Sequence, residues 1–187
     1  MTTIHFKTRM VFFCFVSAIL IAGGCKKDNS TTPDIPVKLG DHYQGGIVFV
    51  VDAAGKHGLI AATADQAVTD PWWNGSFVAT GATSMTAGKT NTTTIINAQG
   101  NTGTYAAKLC RDYKGGGFSD WYLPAKDQLN TLYAQKNLVG GFVSEIYWSS
   151  TEFDTADIWV QDFTDGIQNL DNSSDGANVH TRAIREF

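Results

Sequence analysis

The chain has 187 residues, 43% of them hydrophobic and 17% charged, which is enough apolar material for one domain with a core and excludes a wholly disordered chain. The low charged share and the 19 glycines favour a loop-rich domain that contains β-structure and exclude a helical bundle or coiled coil. The formal net charge of −4 argues against a general nucleic-acid-binding protein.

The N-terminus is predicted to be a lipoprotein signal peptide, residues 1–24, with Cys25 as the lipidated residue. Lys7 and Arg9 precede an apolar run of 13 residues, Met10 to Ala22, which has the length of a signal-peptide core but is short for a membrane span. Small residues directly before Cys25 suit a lipoprotein signal peptidase; an ordinary secretory signal and an uncleaved anchor are the alternatives. The predicted location is the bacterial cell envelope, on the outer membrane through acyl chains on Cys25, facing either the periplasm or the outside.

Residues 25–40 are predicted to be a flexible tether, because they are polar and contain two of the chain's four prolines. The domain is predicted over residues 41–187. Removal of residues 1–24 leaves 12 basic against 18 acidic residues and hence a net charge of −6. Cys110 is then the only cysteine that is neither removed nor lipidated, so no intramolecular disulfide is predicted.

The first elements of the domain are predicted to form a β-hairpin. Gly46–Val51 and Leu59–Ala62 are β-rich segments on either side of the turn residues 52–58. Both segments are almost continuously apolar, so both faces of the hairpin are predicted to be covered. Residues 69–91 show no clear period and are predicted to form a long ordered loop.

Three helices and four further strands are predicted from periodicity and capping residues. The helices are Asn91–Ala98, Tyr105–Tyr113 and Ala125–Gln135, and the buried face of the second comprises Ala106, Leu109, Cys110 and Tyr113. The strands are Ile146–Ser149, Ile158–Phe163, Gly166–Leu170 and Val179–Arg185. Because helices and strands are segregated along the chain, the predicted class is α+β and not a parallel α/β fold.

Five segments form a recognisable set in this order along the chain. They are YQGGIVF (43–49), GLIAA (58–62), GFSDWYLPAKDQLN (117–130), YWSSTE (147–152) and TRAIREF (181–187). Together they resemble the C-terminal domain family of the collagen-like adhesin Lcl, over residues 40–187. The resemblance implies a C-type lectin-like fold, with short helices flanking a small, mainly antiparallel and loop-rich β-sheet.

The resemblance also implies a class of function. The family is mostly without an assigned function, and the adhesin that names it is implicated in binding sulfated host glycans, but a shared fold does not carry a function with it. The prediction is a lectin-like, adhesin-type domain that binds a glycan or a surface protein. The alternative is a structural or assembly subunit of an envelope complex without a small-ligand site, which would expose a contiguous apolar patch.

Ligand contacts are predicted on and beside the C-terminal strands, where lectin-like folds often place binding loops. Aromatic rings suit the faces of sugars, and amide, carboxylate and imidazole groups suit their hydroxyls. The candidates are Trp148, Glu152, Trp159, Gln161, Asn169, Asn172 and His180. For Trp148 a place in the core is the competing interpretation, and Arg182 and Arg185 are expected to form internal ion pairs with carboxylates.

Residues 137–181 contain eight acidic residues and no Lys or Arg. One interpretation is a solvated acidic rim; the other is a Ca²⁺ site, because Ca²⁺ binds carboxylate, amide and carbonyl oxygens. The candidate ligands, which precede turn glycines but do not fit an EF-hand loop, are Asp162, Asp165, Asp171 and Asp175. No cofactor is required, and Ca²⁺ is the one candidate. Because sulfated glycans are polyanions that bind Lys and Arg patches, the acidic stretch also predicts weak or absent heparin binding.

The sequence does not predict an enzyme. His42, His57 and His180 lack metal-ligand spacing, and no nucleophile elbow, P-loop or dinucleotide fingerprint occurs. Cys110 lies on the predicted apolar helix face, which favours a buried structural thiol. Paired carboxylates in the acidic stretch leave a glycosidase as the remaining enzymatic alternative.

Overall fold

A computed structural model of the chain describes residues 36–174 and 176–187. These residues form two four-stranded sheets and four α-helices, which are joined by loops. The strands are β1 (His42–Tyr43), β2 (Gly46–Val51), β3 (Gly58–Ala62), β4 (Ile146–Glu152), β5 (Asp157–Asp162), β6 (Gln168–Asn172), β7 (Val179–His180) and β8 (Ile184–Glu186). The helices are α1 (Gly88–Gln99), α2 (Ala106–Asp112), α3 (Lys126–Ala134) and α4 (Lys136–Val139), and Gly115–Gly117 form one 3-10 turn. This mixture of helix and sheet is compatible with the predicted α+β class.

The first sheet has the strand order β1-β2-β3-β8 and is antiparallel throughout. Its centre is the β2–β3 pair, which confirms the predicted hairpin. Val48 and Phe49, 0% and 1% exposed, belong to different core clusters. Because neighbouring residues of a strand point to opposite faces, both faces of β2 are covered, as its continuous apolar sequence predicts.

The second sheet has the order β6-β5-β4-β7, in which β7 runs parallel to β4 and the other pairs are antiparallel. The single strand predicted over Val179–Arg185 is wrong. Val179–His180 pairs with β4 in the second sheet, whereas Ile184–Glu186 pairs with β3 in the first. Residues 181–183 therefore cross from one sheet to the other.

The three predicted helices are present, with shifted ends. Helix α1 begins at Gly88, so the predicted N-cap Asn91 lies inside it. The Asn91 amide donates to the Ser84 carbonyl (2.7 Å) and accepts from the Ser84 N–H (3.2 Å), and thus fixes the loop before the helix. The predicted inner face of α2 is confirmed at Ala106 and Cys110, which are both 0% exposed.

The folded unit begins earlier than predicted, since the tether was expected to extend to residue 40. The Val37 N–H donates to the Gly55 carbonyl (3.0 Å), and Val37 packs against the core. The predicted signal peptide, Cys25 and the tether up to residue 35 lie outside the described residues. Within residues 36–174 and 176–187, every helix falls short of the length and apolarity that a membrane span requires.

Arg182 is buried in the crossing segment and binds two other parts of the chain, at the end of β3 and just after α4. Its Nε donates to the Asp65 carboxylate (2.6 Å), and its two terminal nitrogens donate to the carbonyls of Ala62 (2.9 Å) and Gly141 (2.5 Å). The guanidinium also stacks on the Phe142 ring, 4.1 Å from its centroid. Arg182 is 1% exposed and the Asp65 side chain is 10% exposed. The internal ion pair expected for Arg182 is therefore confirmed, and it joins the end of β3, the start of the α4–β4 connection and the C-terminal segment.

We expect Arg182→Ala to lower the free energy of unfolding by about 3–5 kcal/mol, because it leaves the Asp65 carboxylate buried without its charged partner. Urea denaturation followed by circular dichroism measures the change. Lys89→Ala is the control, since Lys89 and Glu186 lie 3.8 Å apart with side chains 50% and 54% exposed. An exposed pair contributes at most about 1 kcal/mol, so equal losses in the two variants would contradict the central role of Arg182.

Candidate functional site

Trp148 and Gln161 lie inside the domain, which corrects their prediction as ligand contacts. Trp148 is 0% exposed, and its Nε1 donates to the Asp70 carbonyl (3.0 Å). Gln161 is also 0% exposed, and its Nε2 donates to the Gly166 carbonyl. Trp148 is therefore a core residue, and Gln161 secures the turn that follows β5.

Glu152 is turned inward, where its carboxylate holds the long loop before α1. It accepts hydrogen bonds from the Thr80 N–H (2.9 Å), the Thr80 hydroxyl (2.8 Å) and the Gly81 N–H (2.7 Å). The Glu152 N–H donates to the Ala82 carbonyl (2.9 Å), and the residue is 5% exposed. A buried carboxylate with this many donors serves the loop, so its prediction as a ligand contact is corrected as well.

His180 belongs to the buried network around Asp65. Its Nδ1 lies 2.9 Å from the Asp65 carboxylate, and its ring stacks on the Tyr147 ring with 5.1 Å between centroids. The Tyr147 hydroxyl donates to the same carboxylate (3.0 Å), and burial, reinforced by the Asp65 charge, raises the pKa of Tyr147 well above its usual range. His180 is 8% exposed. It therefore packs in the interior, which corrects its prediction as a ligand contact.

Trp159 is the predicted aromatic contact that reaches the surface. It is half-buried on β5 and pairs across the sheet with Leu170 of β6, which is 39% exposed. Phe153, 56% exposed, meets Trp159 edge-on with 6.1 Å between ring centroids. We call Phe153, Trp159, Leu170 and the neighbouring Lys126 the Trp159 surface.

Lys126, the first residue of α3, covers part of the Trp159 ring. Its Nζ lies 3.4 Å from the ring centroid, which is a cation–π distance. The backbone of Lys126 is fixed, because its N–H donates to the Thr151 hydroxyl (2.9 Å) and its carbonyl accepts from Gln168 Nε2 (2.9 Å). The buried Trp159 Nε1 has no hydrogen-bond partner among the described residues. The Trp159 surface thus combines aromatic and aliphatic area with one cation on a flexible stem.

Asp154 holds the turn that carries Phe153. Its Oδ1 accepts from the N–H groups of Ala156 (2.8 Å) and Asp157 (2.9 Å), and these bonds lower the pKa of the Asp154 carboxyl from its ordinary value of 3.8. A carboxyl whose pKa is lowered by folding stabilises the fold above its unfolded pKa. The turn is therefore supported at neutral pH and loses this support as the pH falls below about 4.

Asn169 and Asn172 lie on β6, the outer strand of the second sheet. Asn169 is exposed on the face opposite Leu170, because neighbouring residues of a strand alternate between faces. Asn172 shares the face of Leu170, but its side-chain oxygen accepts from the Ser174 N–H (3.0 Å) and hydroxyl (2.7 Å). Of the two amides, Asn169 is accessible but points away from the Trp159 surface.

The predicted Ca²⁺ ligands fall into separate places. Asp162 and Asp165 lie at the β5–β6 turn, where each carboxylate accepts a backbone N–H of the turn. Asp171 pairs with Ile158, at the other end of the β5–β6 ladder and about 13 Å along the strand from Asp162. Asp175 lies outside the described residues. Within residues 36–174 and 176–187, no group of three or more His, Cys, Asp or Glu side chains is placed to hold a metal ion.

A cleft that the sequence did not predict lies beside α1 and α2. Its larger part, about 630 Å³, is lined by residues that include Arg111, Lys114 and Ser119, and Lys89 lines a smaller part of about 210 Å³. Arg111 donates to the Thr93 hydroxyl (2.7 Å). Neither Arg111 nor Lys114 forms an ion pair within the described part of the chain. Sequence reasoning missed these cations because the apolar spacing of α2 indicated only its buried face.

Phe153, Leu170 and Lys126 were also missed, although one signal for the surface exists in the sequence. Ile158 and Val160 are buried in the core, and Trp159 lies between them. Strict alternation along a strand therefore places Trp159 on the opposite face. Its neighbours come from a turn, a second strand and a helix, and their meeting depends on the register of the sheet.

Comparison with protein-family models and with curated proteins finds no match for this chain. The case for a function therefore depends on the geometry of the site.

We expect Glu152→Ala to lower the melting temperature by about 5–10 °C, because it leaves the N–H groups of Thr80 and Gly81 without their acceptor at a cost of about 2–3 kcal/mol. Differential scanning calorimetry measures the shift. Glu145→Ala is the control, since Glu145 is exposed and directly precedes β4, the strand that ends in Glu152. If Glu152→Ala had the same melting temperature as the wild type, the loop would not depend on this carboxylate.

Proposed function

We propose that the protein is a lipoprotein of the bacterial cell envelope whose domain binds a glycan or a surface protein through the Trp159 surface. The observation that carries the proposal is the surface itself, a half-buried tryptophan flanked by exposed Phe153 and Leu170 on a hydrogen-bonded sheet. Aromatic area of this kind contributes strongly to recognition because it is large and rigid. Nucleic acid is not a proposed partner, because the chain is acidic.

We infer a C-type lectin-like fold for the domain as the finer assignment within the mixed helix and sheet architecture. The support comes from where the segments of the resemblance lie. Trp121, Tyr122 and Leu123 of the DWYLP segment are 0% exposed, and the YWSSTE segment forms β4. Since core residues determine how elements pack, a resemblance carried by buried segments favours a shared fold.

Binding, and not catalysis, is the proposed activity. Burial raises the pKa of the Cys110 thiol well above its usual range, which keeps the sulfur protonated and a poor nucleophile. The Asp65 carboxylate beside His180 is already shared with Arg182 and Tyr147. This arrangement suits a structural role for Asp65 and His180. No cofactor enters the proposal, and Ca²⁺ enters only as one condition of its test.

The test is a glycan-array screen of the chain from Lys26 onward, which retains the whole compact unit Ile35–Phe187. The array is run with Ca²⁺ and again with EDTA. Binding lost in EDTA assigns a Ca²⁺-dependent site, and binding that survives EDTA assigns a site without metal. Heparin is expected to bind weakly or not at all, because residues 137–181 hold eight acidic residues and no Lys or Arg. Absence of binding to every glycan would contradict the glycan ligand and leave the surface protein, which pull-downs from envelope extracts then test.

Phe153→Ala should weaken binding of the identified ligand at least about tenfold, because it truncates an aromatic contact of the Trp159 surface. Isothermal titration calorimetry measures the affinity. Phe77→Ala is the matched control, since Phe77 is 54% exposed against 56% for Phe153 and lies in the long loop before α1. Full affinity in Phe153→Ala would contradict the Trp159 surface as the binding site.

Cys25→Ser should abolish lipid attachment and release the protein from the membrane fraction, because serine cannot form the thioether that carries the diacylglycerol. Incorporation of labelled palmitate and membrane fractionation measure the two effects. Cys14→Ser is the control, because Cys14 lies inside the predicted signal peptide and should leave lipidation unchanged. A Cys25→Ser protein that is still labelled and membrane-bound would refute the lipoprotein assignment.

A structural subunit of an envelope complex is the second candidate, and the loop before α1 favours it. The Trp73 and Phe77 rings stack with 4.2 Å between centroids, and Val78 beside them is 40% exposed. Exposed apolar area marks protein interfaces when it is contiguous. If the protein is such a subunit, Phe77→Ala should no longer capture an envelope partner in pull-downs, whereas Phe153→Ala should still capture it.

A further inference from the structure

Strand β6 is the outer strand of the second sheet, whose order is β6-β5-β4-β7. No other strand of the described chain lies beyond it. The opposite edge differs, because Thr181, directly after β7, forms a bridge with Ala67. An open edge presents a row of backbone donors and acceptors that can pair with another strand.

The β5–β6 ladder determines which backbone groups of β6 face outward. At one end the Asp162 N–H donates to the Ile167 carbonyl (2.9 Å), and at the other the Ser173 N–H donates to the Ala156 carbonyl (2.7 Å). Hydrogen-bonded and non-hydrogen-bonded pairs alternate along an antiparallel ladder. Residues 169 and 171 of β6 therefore bond to β5, and residues 168, 170 and 172 direct their N–H and C=O groups toward the open edge.

The edge has few of the features that usually prevent pairing. The sequence of β6 is QNLDN, with one charged residue, Asp171, and without Lys, Arg, Pro or Gly, whereas protected edges commonly carry several charged side chains, prolines or bulges. One of the outward N–H groups already has an acceptor within the chain, since the Asn172 N–H donates to the Asp171 carboxylate (2.8 Å). The outward groups of Gln168 and Leu170 remain directed at the edge.

We propose that β6 pairs antiparallel with β6 of a second copy of the chain, about a two-fold axis at Leu170. In this register Leu170 faces the partner's Leu170, Asn169 faces the partner's Asp171, and Gln168 faces the partner's Asn172. The result is one apolar pair, an amide opposite a carboxylate and an amide opposite an amide, and no two like charges face each other. The surface is self-complementary, as a two-fold interface requires. This self-complementarity is the reason to assign the edge to a second copy and not to a strand of another protein.

The pairing joins the second sheets of the two copies into one continuous sheet. Side chains that face each other across an antiparallel pair lie on the same face, so the two Leu170 side chains meet and cover part of their exposed area. The Trp159 surfaces of both copies then lie side by side on that face. The inference does not depend on the proposed ligand or on lipidation, because it uses only the edge and its sequence.

The test is the oligomeric state of the chain from Lys26 onward, measured by sedimentation velocity over a dilution series. A concentration-dependent dimer is expected. Leu170→Lys should raise the dimer dissociation constant at least about tenfold, because it places two cations opposite each other at the axis. Leu138→Lys is the matched control on α4, since Leu138 is 43% exposed against 39% for Leu170. It should leave the dimer unchanged.

Charge exchange tests the register. Leu170→Lys and Leu170→Glu should each be monomeric, and their equimolar mixture should form a heterodimer, because the two side chains face each other only if the axis lies at Leu170. Three outcomes overturn the proposal: a wild type that is monomeric at every concentration, a dimer that survives Leu170→Lys, and a mixture that stays monomeric. If the wild type is monomeric and its β6 edge pairs with a strand of another protein, the first of these outcomes has occurred and the proposal is overturned.

A second measurement keeps the proposal testable if charged variants fold poorly. Leu170→Cys should form an intermolecular disulfide under mild oxidation, because facing residues of a hydrogen-bonded pair have Cα atoms about 5.5 Å apart, within disulfide reach. The other cysteine of the described chain, Cys110, is buried at 0% exposure and does not compete. Leu138→Cys should stay monomeric on a non-reducing gel. Equal cross-linking of the two variants would overturn the register.

Discussion

The buried ion pair between Asp65 and Arg182 is the interaction on which the arrangement of the two sheets depends. The desolvation of both charges is offset only because the groups are fully bonded. Asp65 also accepts from Tyr147 on β4, and Arg182 reaches the carbonyls of Ala62 and Gly141. The planar guanidinium can direct several donors at once, which the single ammonium of a lysine cannot reproduce. One residue of the crossing segment thus fixes the end of the first sheet and the start of the second.

The same network positions the Trp159 surface at a distance. Tyr147 of β4 and His180 of β7 both contact Asp65, so two neighbouring strands of the second sheet are anchored at one buried point. Strand β5, which carries Trp159, pairs with β4 along most of its length. A side chain on such a strand loses little conformational freedom when a ligand binds, and this lowers the entropic cost of recognition. Rigid support beneath the half-buried Trp159 ring is therefore what the core would contribute to the proposed binding.

The sequence predicts those elements whose signals are local. The continuous apolar segments predict β2 and β3, and the helical spacing around Cys110 predicts α2, since both patterns depend on neighbouring residues alone. The division of Val179–Arg185 between two sheets has no such signal, because it follows from the long-range bonds of Arg182. The same limit applies to the site. Trp148 and Trp159 are alike in type, but Trp148 faces Val160 on the core side of the sheet, where the register of β4 against β5 places it.

The pairing of β8 with β3 has a kinetic consequence for the folding of the domain. Ile60 pairs with Arg185, 125 positions later in the chain, and contacts between such distant residues form slowly because a long loop must close. The first sheet therefore remains incomplete until β8 pairs with β3, so its closure is expected to be a late step in folding.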